Sequence, residues 1–298
     1  MEASPLVSIG LPLALFIIMI GIGMTLTPRD FRQVAVYPRG MVIGTIAQIL
    51  IMPLVAFAIA TLLRLPPALA VGLVIIAACP GGTTSNLFVL LGRGHIALSI
   101  VLTVLASLIT GATLPFVTHL ALDWYTSGDD RITLPVGRTV MTLLLVVLLP
   151  VAIGMIFRSK APALATRVES VVSVFGAVVL GVLVVGIALG VEDLGALLAK
   201  AGPAAMLLNL AGILIGLAAG RLFSLSPRES LAVAVELGIK NGTIGLMVTI
   251  TLLGSEDMSV PAAVYGVMMF FFGFALVAYG RKVIPAAGYK SGSKEQGA

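Results

Sequence analysis

Apolar residues run along this chain in blocks of about twenty or more, parted by short polar or Pro/Gly-rich turns. The blocks predict nine membrane-spanning helices, at 6–27, 41–63, 68–91, 96–120, 135–157, 168–190, 202–223, 230–253 and 259–280. Each is long enough to cross a hydrocarbon core of about 30 Å. Two blocks are interrupted. In the third, Pro80-Gly81-Gly82 ends an apolar half and Thr83-Thr84-Ser85-Asn86 opens another; in the eighth, Gly238 and the Asn241-Gly242 pair do the same. Proline removes a donor and clashes with the preceding turn, and glycine permits non-helical dihedrals. Broken backbone at membrane depth survives only where protein or a wet cavity satisfies its amides and carbonyls.

The interruptions are matched. Pro80 and Asn241 are 161 positions apart, and so are Gln48 in the second span and Asn209 in the seventh. Spans one to four (6–120) are therefore expected to recur as spans six to nine (168–280), with 135–157 as the linking helix. An offset of five spans inverts the second copy in the membrane. Inverted repeats with broken helices in matching places point to the binding site of a secondary transporter.

Composition fixes the class. Of the 298 residues 59% are hydrophobic and 10% charged, against about 25% charged in soluble domains. The expectation is an all-α polytopic membrane protein, one bundle spanning 1–298. The first block has no basic n-region and exceeds the ~7–15 residue core of a signal peptide, so it reads as a retained span. One cysteine, Cys79, excludes internal disulfides. The net charge of +5 is spread over loops, which argues for membrane orientation and against nucleic acid.

With the N-terminus outside, inside segments hold Arg29, Arg32, Arg39, Arg93, Arg158, Lys160, Arg167, Arg221, Arg228, Arg281, Lys282, Lys290 and Lys294. Outside ones hold only Arg64, Arg131, Arg138 and Lys200. The excess of inside cations sets the N-terminus out and the C-terminus in the cytoplasm, in a cell (inner) membrane, with 281–298 a disordered cytoplasmic tail.

Glu236 and Lys240 are the only acid and base these spans place in the hydrocarbon away from their ends. A charge there costs roughly 2.5–3.5 kcal/mol on insertion scales and marks a functional site. Each break also exposes two helix ends. The C-terminal ends, near Cys79 and Leu237, offer carbonyls to a cation; the N-terminal ends, near Thr83 and Asn241, offer N–H groups to an anion. A hard cation needs several oxygens. Those at hand are Glu236, Ser85, Asn86, Ser99 and Thr103, the last two at i and i+4 on one helix face. Ser107, on the same face, has the alternative of bonding its own i−4 carbonyl. Gln48 and Asn209 have the alternative of linking helices.

Ala78-Cys79-Pro80-Gly81-Gly82-Thr83-Thr84-Ser85-Asn86, Arg93-Gly94, Ala97-Leu98-Ser99, Ile46-Ala47-Gln48 with Met52-Pro53, and Glu236-Leu237-Gly238 followed by Asn241 together resemble the bile acid:sodium symporter family, in its bacterial type. The resemblance covers nearly the whole chain, which begins at what is the second helix of ten-helix members. It implies a panel domain and a core domain whose two discontinuous helices cross, and sodium-coupled symport of organic anions (bile-acid-like or small carboxylates) by alternating access. It also implies a first sodium site of Ser85, Asn86, Ser99, Thr103 and Glu236. A second would use Gln48, Glu236, the carbonyls of Leu237 and Ile239, and a glutamine where this chain has Lys240. That departure leads to the expectation that Lys240 is a tethered cation paired with Glu236, leaving Na⁺ as sole coupling ion and metal, at one per cycle. A sodium-independent or proton-linked carrier is the alternative. Thr83 and Asn241 are the expected holders of the substrate's anionic group.

An intramembrane enzyme would need a nucleophile and base together; Ser85 with Lys240 is the one imaginable pair, and no catalytic motif supports it. Related antiporters use aspartates in the broken region, and none occurs there. No filter motif supports a channel. No cofactor is expected, and a monomer is.

Overall fold

The computed structural model describes residues 10–25, 38–126, 136–165, scattered positions from 167 to 185, and 194–285. All regular structure among them is helical: α1 Gly10–Thr25, α2 Pro38–Ile46, α3 Met52–Leu62, α4 Pro67–Ala78, α5 Thr83–Leu91, α6 Ile96–Tyr125, α7 Val136–Lys160, α8 Leu194–Leu222, α9 Pro227–Gly238, α10 Gly242–Leu246 and α11 Glu256–Val283. A π-helical turn, Ala47–Ile51, joins α2 to α3, and a second, Met247–Leu252, prolongs α10. Among the described residues, five segments are long and apolar enough to cross a membrane: Arg39–Leu62, Ile96–Tyr125, Leu198–Leu222, Pro227–Leu252 and Glu256–Val283. The expected span 168–190 falls largely outside the described residues, as do the segments 26–37 and 127–135.

The chain's last helix overruns the expected start of the tail. α11 continues through Arg281 and Lys282 to Val283. Arg281 Nε donates to the carbonyl of Leu91 at 2.9 Å, and Arg93 Nη1 donates to that of Ile284 at 3.1 Å. Each guanidinium thus caps the end of the other's helix, which holds the closing turn in register. Residues from 286 onward lie outside the description.

α4 and α9 occupy the centre. Leu69 to Ala78 and Leu231 to Gly238 are buried on every side. Helices apolar all round belong inside a protein, not at its lipid surface. α4 packs on α3, α6, α8 and α11, and α9 on α6, α8 and α11. By contrast Leu207, Leu210 and Leu214 of α8 are exposed, which marks a lipid-facing side. α1 packs chiefly on α7, and there small residues let two backbones touch. A Cβ at Gly23 would collide with Val151 O, and one at Gly154 with Ile20 O.

Caps set the starts of the helices that carry the polar centre. α9 opens with a reciprocal pair: Ser226 Oγ accepts from Glu229 N–H and Glu229 Oε2 accepts from Ser226 N–H. α6 opens on His95, whose Nδ1 accepts from Leu98 N–H at 3.1 Å while its own N–H donates to Arg228 O at 3.0 Å. The two starts are thereby tied together. Burial holds the His95 imidazole below its ordinary 6.5, with Glu229 pulling the other way.

Gly154→Ala should lower the melting temperature of the solubilised protein, because overpacking a tight contact costs about 1–3 kcal/mol. Gly195→Ala, with nothing within 4 Å of the new Cβ, should not. Since the His95 pKa is depressed on folding, its contribution is complete above about 6.5 and declines as pH falls from there toward the folded value. His95→Asn keeps an N-cap acceptor. It should flatten the melting temperature between neutral and mildly acidic pH, as followed by a melting series.

Candidate functional site

Both interruptions fall where the sequence placed them, and they meet. α4 stops at Ala78 and α5 starts at Thr83; α9 stops at Gly238 and α10 starts at Gly242. The N–H of Asn241, which an unbroken helix would give to Leu237 O, donates instead to Pro80 O at 2.8 Å. One break therefore satisfies the other, and the Leu237 carbonyl is released from the helical ladder.

The glycines act through space, not through special dihedrals. Among the described glycines only Gly254 has a positive φ, and Gly82 is extended at φ −133°. Gly81 faces the Glu236 carboxylate so closely that a Cβ would overlap Oε1. Gly238, expected as a helix breaker, lies within α9 and owes its identity to Ile213, 2.8 Å from where its Cβ would be. Gly242 is the first helical residue of α10. The non-helical residues of the second break are Ile239, Lys240 and Asn241.

Around Glu236 the expected first set assembles. The side chain is 1% exposed. Thr103 Oγ1 donates to Oε1 at 2.6 Å, and Ser85 and Ser99 Oγ donate to Oε2 at 2.7 and 3.3 Å. Ser99 also donates to Asn86 Oδ1 at 2.7 Å. Three elements thus bring hydroxyls and an amide oxygen to one carboxylate: α5 with Ser85 and Asn86, α6 with Ser99 and Thr103, and α9 with Glu236. A hydroxyl that gives its proton to the carboxylate keeps lone pairs for a cation. The cluster is an oxygen-rich, desolvated pocket around one carboxyl group, the ligand type that a hard cation takes.

The second set is less complete. Gln48 is fully buried on the first π turn, which packs on α4, α6 and α9, and neither its Oε1 nor its Nε2 has a partner. Lys240 is 1% exposed, and its Nζ has no partner either. The expected Glu236–Lys240 pair is not formed: α9 ends at Gly238 between the two residues, and hydroxyls bond the carboxylate instead. Lys240 nonetheless lies within electrostatic reach of Glu236 and of the Cys79 thiol.

Of the expected anion holders, Asn241 turns its Oδ1 inward to cap α10, accepting from Ile244 N–H at 3.2 Å. The side chain of Thr83 lies outside the described residues.

Sequence reasoning missed Tyr265. Its hydroxyl donates to Gly238 O at 2.8 Å, and Asn209 Nδ2 donates to the same oxygen at 3.0 Å. The two hold the end of α9 from α11 and α8. A tyrosine inside an apolar helix, whose hydroxyl must find a partner when buried, was the available signal.

With this geometry in place, the comparisons with known proteins fall on it. The profile of the Sodium Bile acid symporter family matches residues 12–196. The "Uncharacterized sodium-dependent transporter YocS" of Bacillus subtilis is 34% identical over 284 residues, 92% of this chain and 84% of that protein. A "Probable sodium/metabolite cotransporter BASS1, chloroplastic" of Arabidopsis thaliana is 31% identical over 274 residues, 91% of this chain and 66% of the relative. The "Hepatic sodium/bile acid cotransporter" of Rattus norvegicus is 29% identical over 270 residues, 89% and 71% of the respective chains. Matches of that reach, together with apolar helices built around a buried polar crossing, place this chain in the sodium bile acid symporter family, as a multi-pass membrane transporter and not an enzyme.

Proposed function

We propose that the chain couples the inward movement of one Na⁺ to that of one organic anion, by alternating access. The observation that carries this reading is the Glu236 cluster: a buried carboxylate ringed by Ser85, Ser99 and Thr103, with Asn86 behind, at the contact of two broken helices. Na⁺ enters as a transported ion, with Glu236 supplying charge and the hydroxyls and Asn86 replacing its water. The anion is a bile-acid-like or small carboxylate, held beside the N-terminal ends of α5 and α10 at Thr83 and Asn241.

The proposed architecture has nine spans in two inverted repeats, N-terminus out, C-terminus in, acting as a monomer in the inner membrane. Support for the repeat comes from helix starts: Pro67 and Pro227 open twelve-residue helices, and Ile96 and Glu256 open the long ones that follow. α1 and α7 form the panel in this scheme, and the helices around α4 and α9 the core.

Lys240 takes the place of a second sodium. Its ammonium sits where an arriving cation would meet strong repulsion. In the empty carrier Glu236 and Lys240 cancel, and adding Na⁺ with a monovalent anion leaves the sum at zero. The unpartnered Lys240 Nζ also favours a second reading, a sodium-independent or proton-linked carrier in which the lysine is the only cation.

Uptake of labelled taurocholate and pantoate into proteoliposomes separates these. Wild type should show a Hill coefficient near one for Na⁺ and no response to an imposed potential; Lys240→Gln should raise the coefficient toward two and make uptake potential-sensitive. A wild-type coefficient near two would sink the tethered-cation idea, and uptake driven by a pH gradient without Na⁺ would favour the second reading. Glu236→Gln should abolish sodium stimulation. Gly81→Ala pushes a methyl into the carboxylate, and should raise the Na⁺ concentration for half-maximal uptake by about tenfold, equivalent to roughly 1.4 kcal/mol of binding.

A further inference from the structure

α6 carries more polar groups than the Glu236 cluster uses. Ser99, Thr103, Ser107, Thr110 and Thr118 are all buried, and at 3.6 residues per turn they fall within an arc of about 100° on one face. From Ser99 to Thr118 is about 28 Å at 1.5 Å per residue, nearly the thickness of the hydrocarbon core. Ser107 bonds back to Thr103 O at 2.7 Å, but the hydroxyls of Thr110 and Thr118 have no partner. Between them Pro115 lies inside the helix; lacking an N–H, it leaves Gly111 O without its helical donor.

The helix opposite shows the same feature. α2 runs alongside α6, Gly40 against Leu98 and Gly44 against Leu102. The next turn is the π-helical one, packed on α6 and carrying Gln48, whose two amide atoms are unpartnered; so is Thr45 Oγ1 just before it. Buried polar atoms are nearly always satisfied, and where protein does not satisfy them water does. π turns also recur at functional positions in helices. The unpartnered groups of Thr110 and Thr118 on α6 and of Thr45 and Gln48 opposite mark a seam that water can satisfy, with the buried Leu114 between the two threonines. The seam starts at Glu236, runs along α6, and meets no lysine or arginine on that helix.

We infer that this seam, lined by Thr103, Ser107, Thr110, Thr118 and Gln48, is the path by which partly hydrated Na⁺ reaches Glu236. It rests on the sodium-coupled reading above and adds a route distinct from the anion's. Hydroxyl and carbonyl oxygens replace water ligands one at a time along it, and the Glu236 carboxyl group at its inner end supplies the attraction for a cation, against the repulsion of Lys240 beside it.

Thiol accessibility tests the path. Thr110→Cys and Thr118→Cys are each made in the full chain alongside Leu108→Cys, which lies on the outward side of α6 at 37% exposure, and the reactivity of native Cys79 is measured first. A membrane-impermeant cationic methanethiosulfonate should modify the two seam cysteines at least about tenfold faster than Leu108→Cys, because only a hydrated thiol ionises to the reactive thiolate. Replacing choline by Na⁺ should slow that reaction. Thr110→Val should raise the Na⁺ concentration for half-maximal taurocholate uptake and leave the maximal rate intact. Seam cysteines no more reactive than Leu108→Cys, or labelling indifferent to Na⁺, would overturn the path. Wild-type uptake in Na⁺ against choline reports on coupling separately: sodium-driven uptake with a silent seam removes the path alone, whereas uptake indifferent to Na⁺ removes the coupling.

Discussion

A single carboxylate in the middle of a bilayer governs how the rest of this structure is arranged. Glu236 cannot be hydrated by bulk water there, so hydrogen-bond donors must come to it from the protein, and they come from elements far apart in sequence: Ser85 on α5, and Ser99 and Thr103 on α6. Hydroxyls suit this task better than cationic side chains. They satisfy the carboxylate when nothing else is present, and can turn their lone pairs to an incoming ion without leaving a charge stranded. An ion pair in the same place would have to be broken for every ion bound, against a strong attraction in low dielectric.

Keeping those donors in reach demands that two helices stop at the same depth. The stop is stabilised by mutual use of what each break exposes. Asn241 N–H serves Pro80 O, Gly81 gives up its side chain to admit the carboxylate, and Gly238 O is held by Asn209 and Tyr265. These contacts involve different neighbours, so the crossing is braced from α8, α10 and α11 together. On the proposed alternating-access reading, the same bracing would let the crossing move as one body against α1 and α7.

Much of this was legible in the sequence because burial of charge and of broken backbone leaves a plain residue signature. Glu236, Pro80 with its glycines, and the Ser99–Thr103 spacing pointed to the cluster without any coordinates. What could not be read was direction and distance. The Glu236–Lys240 pair was expected because Lys240 stands where the resembled family has an ion-ligating glutamine, yet the helix ends between the two residues, and hydroxyls of Ser85, Ser99 and Thr103 bond the carboxylate instead. Gly238 and Gly242 read as breakers, whereas close packing and a helix start explain them, since a glycine's reason is set by what stands opposite. Tyr265 carried a signal in its hydroxyl but not its partner, because that partner is a carbonyl that only the break exposes. The expected span 6–27 is described as helix over Gly10–Thr25, whereas the span 168–190 lies largely beyond the described residues.

A lysine in place of an ion ligand also changes what the carrier can achieve, on the proposed stoichiometry. A bound Na⁺ and a fixed ammonium neutralise the crossing alike, but only the ion brings a gradient with it. Each tenfold sodium ratio contributes about 1.4 kcal/mol per ion, and each net charge moved gains about 2.3 kcal/mol per 100 mV. Trading the second ion for Lys240 gives up both terms, so accumulation of a monovalent anion is limited to the sodium ratio itself. In exchange the empty core stays neutral, because Glu236 always has a cation nearby, and its return across the bilayer faces no uncompensated charge. Such a carrier is suited to a solute held at modest gradient and turned over quickly, and poorly suited to scavenging a scarce one.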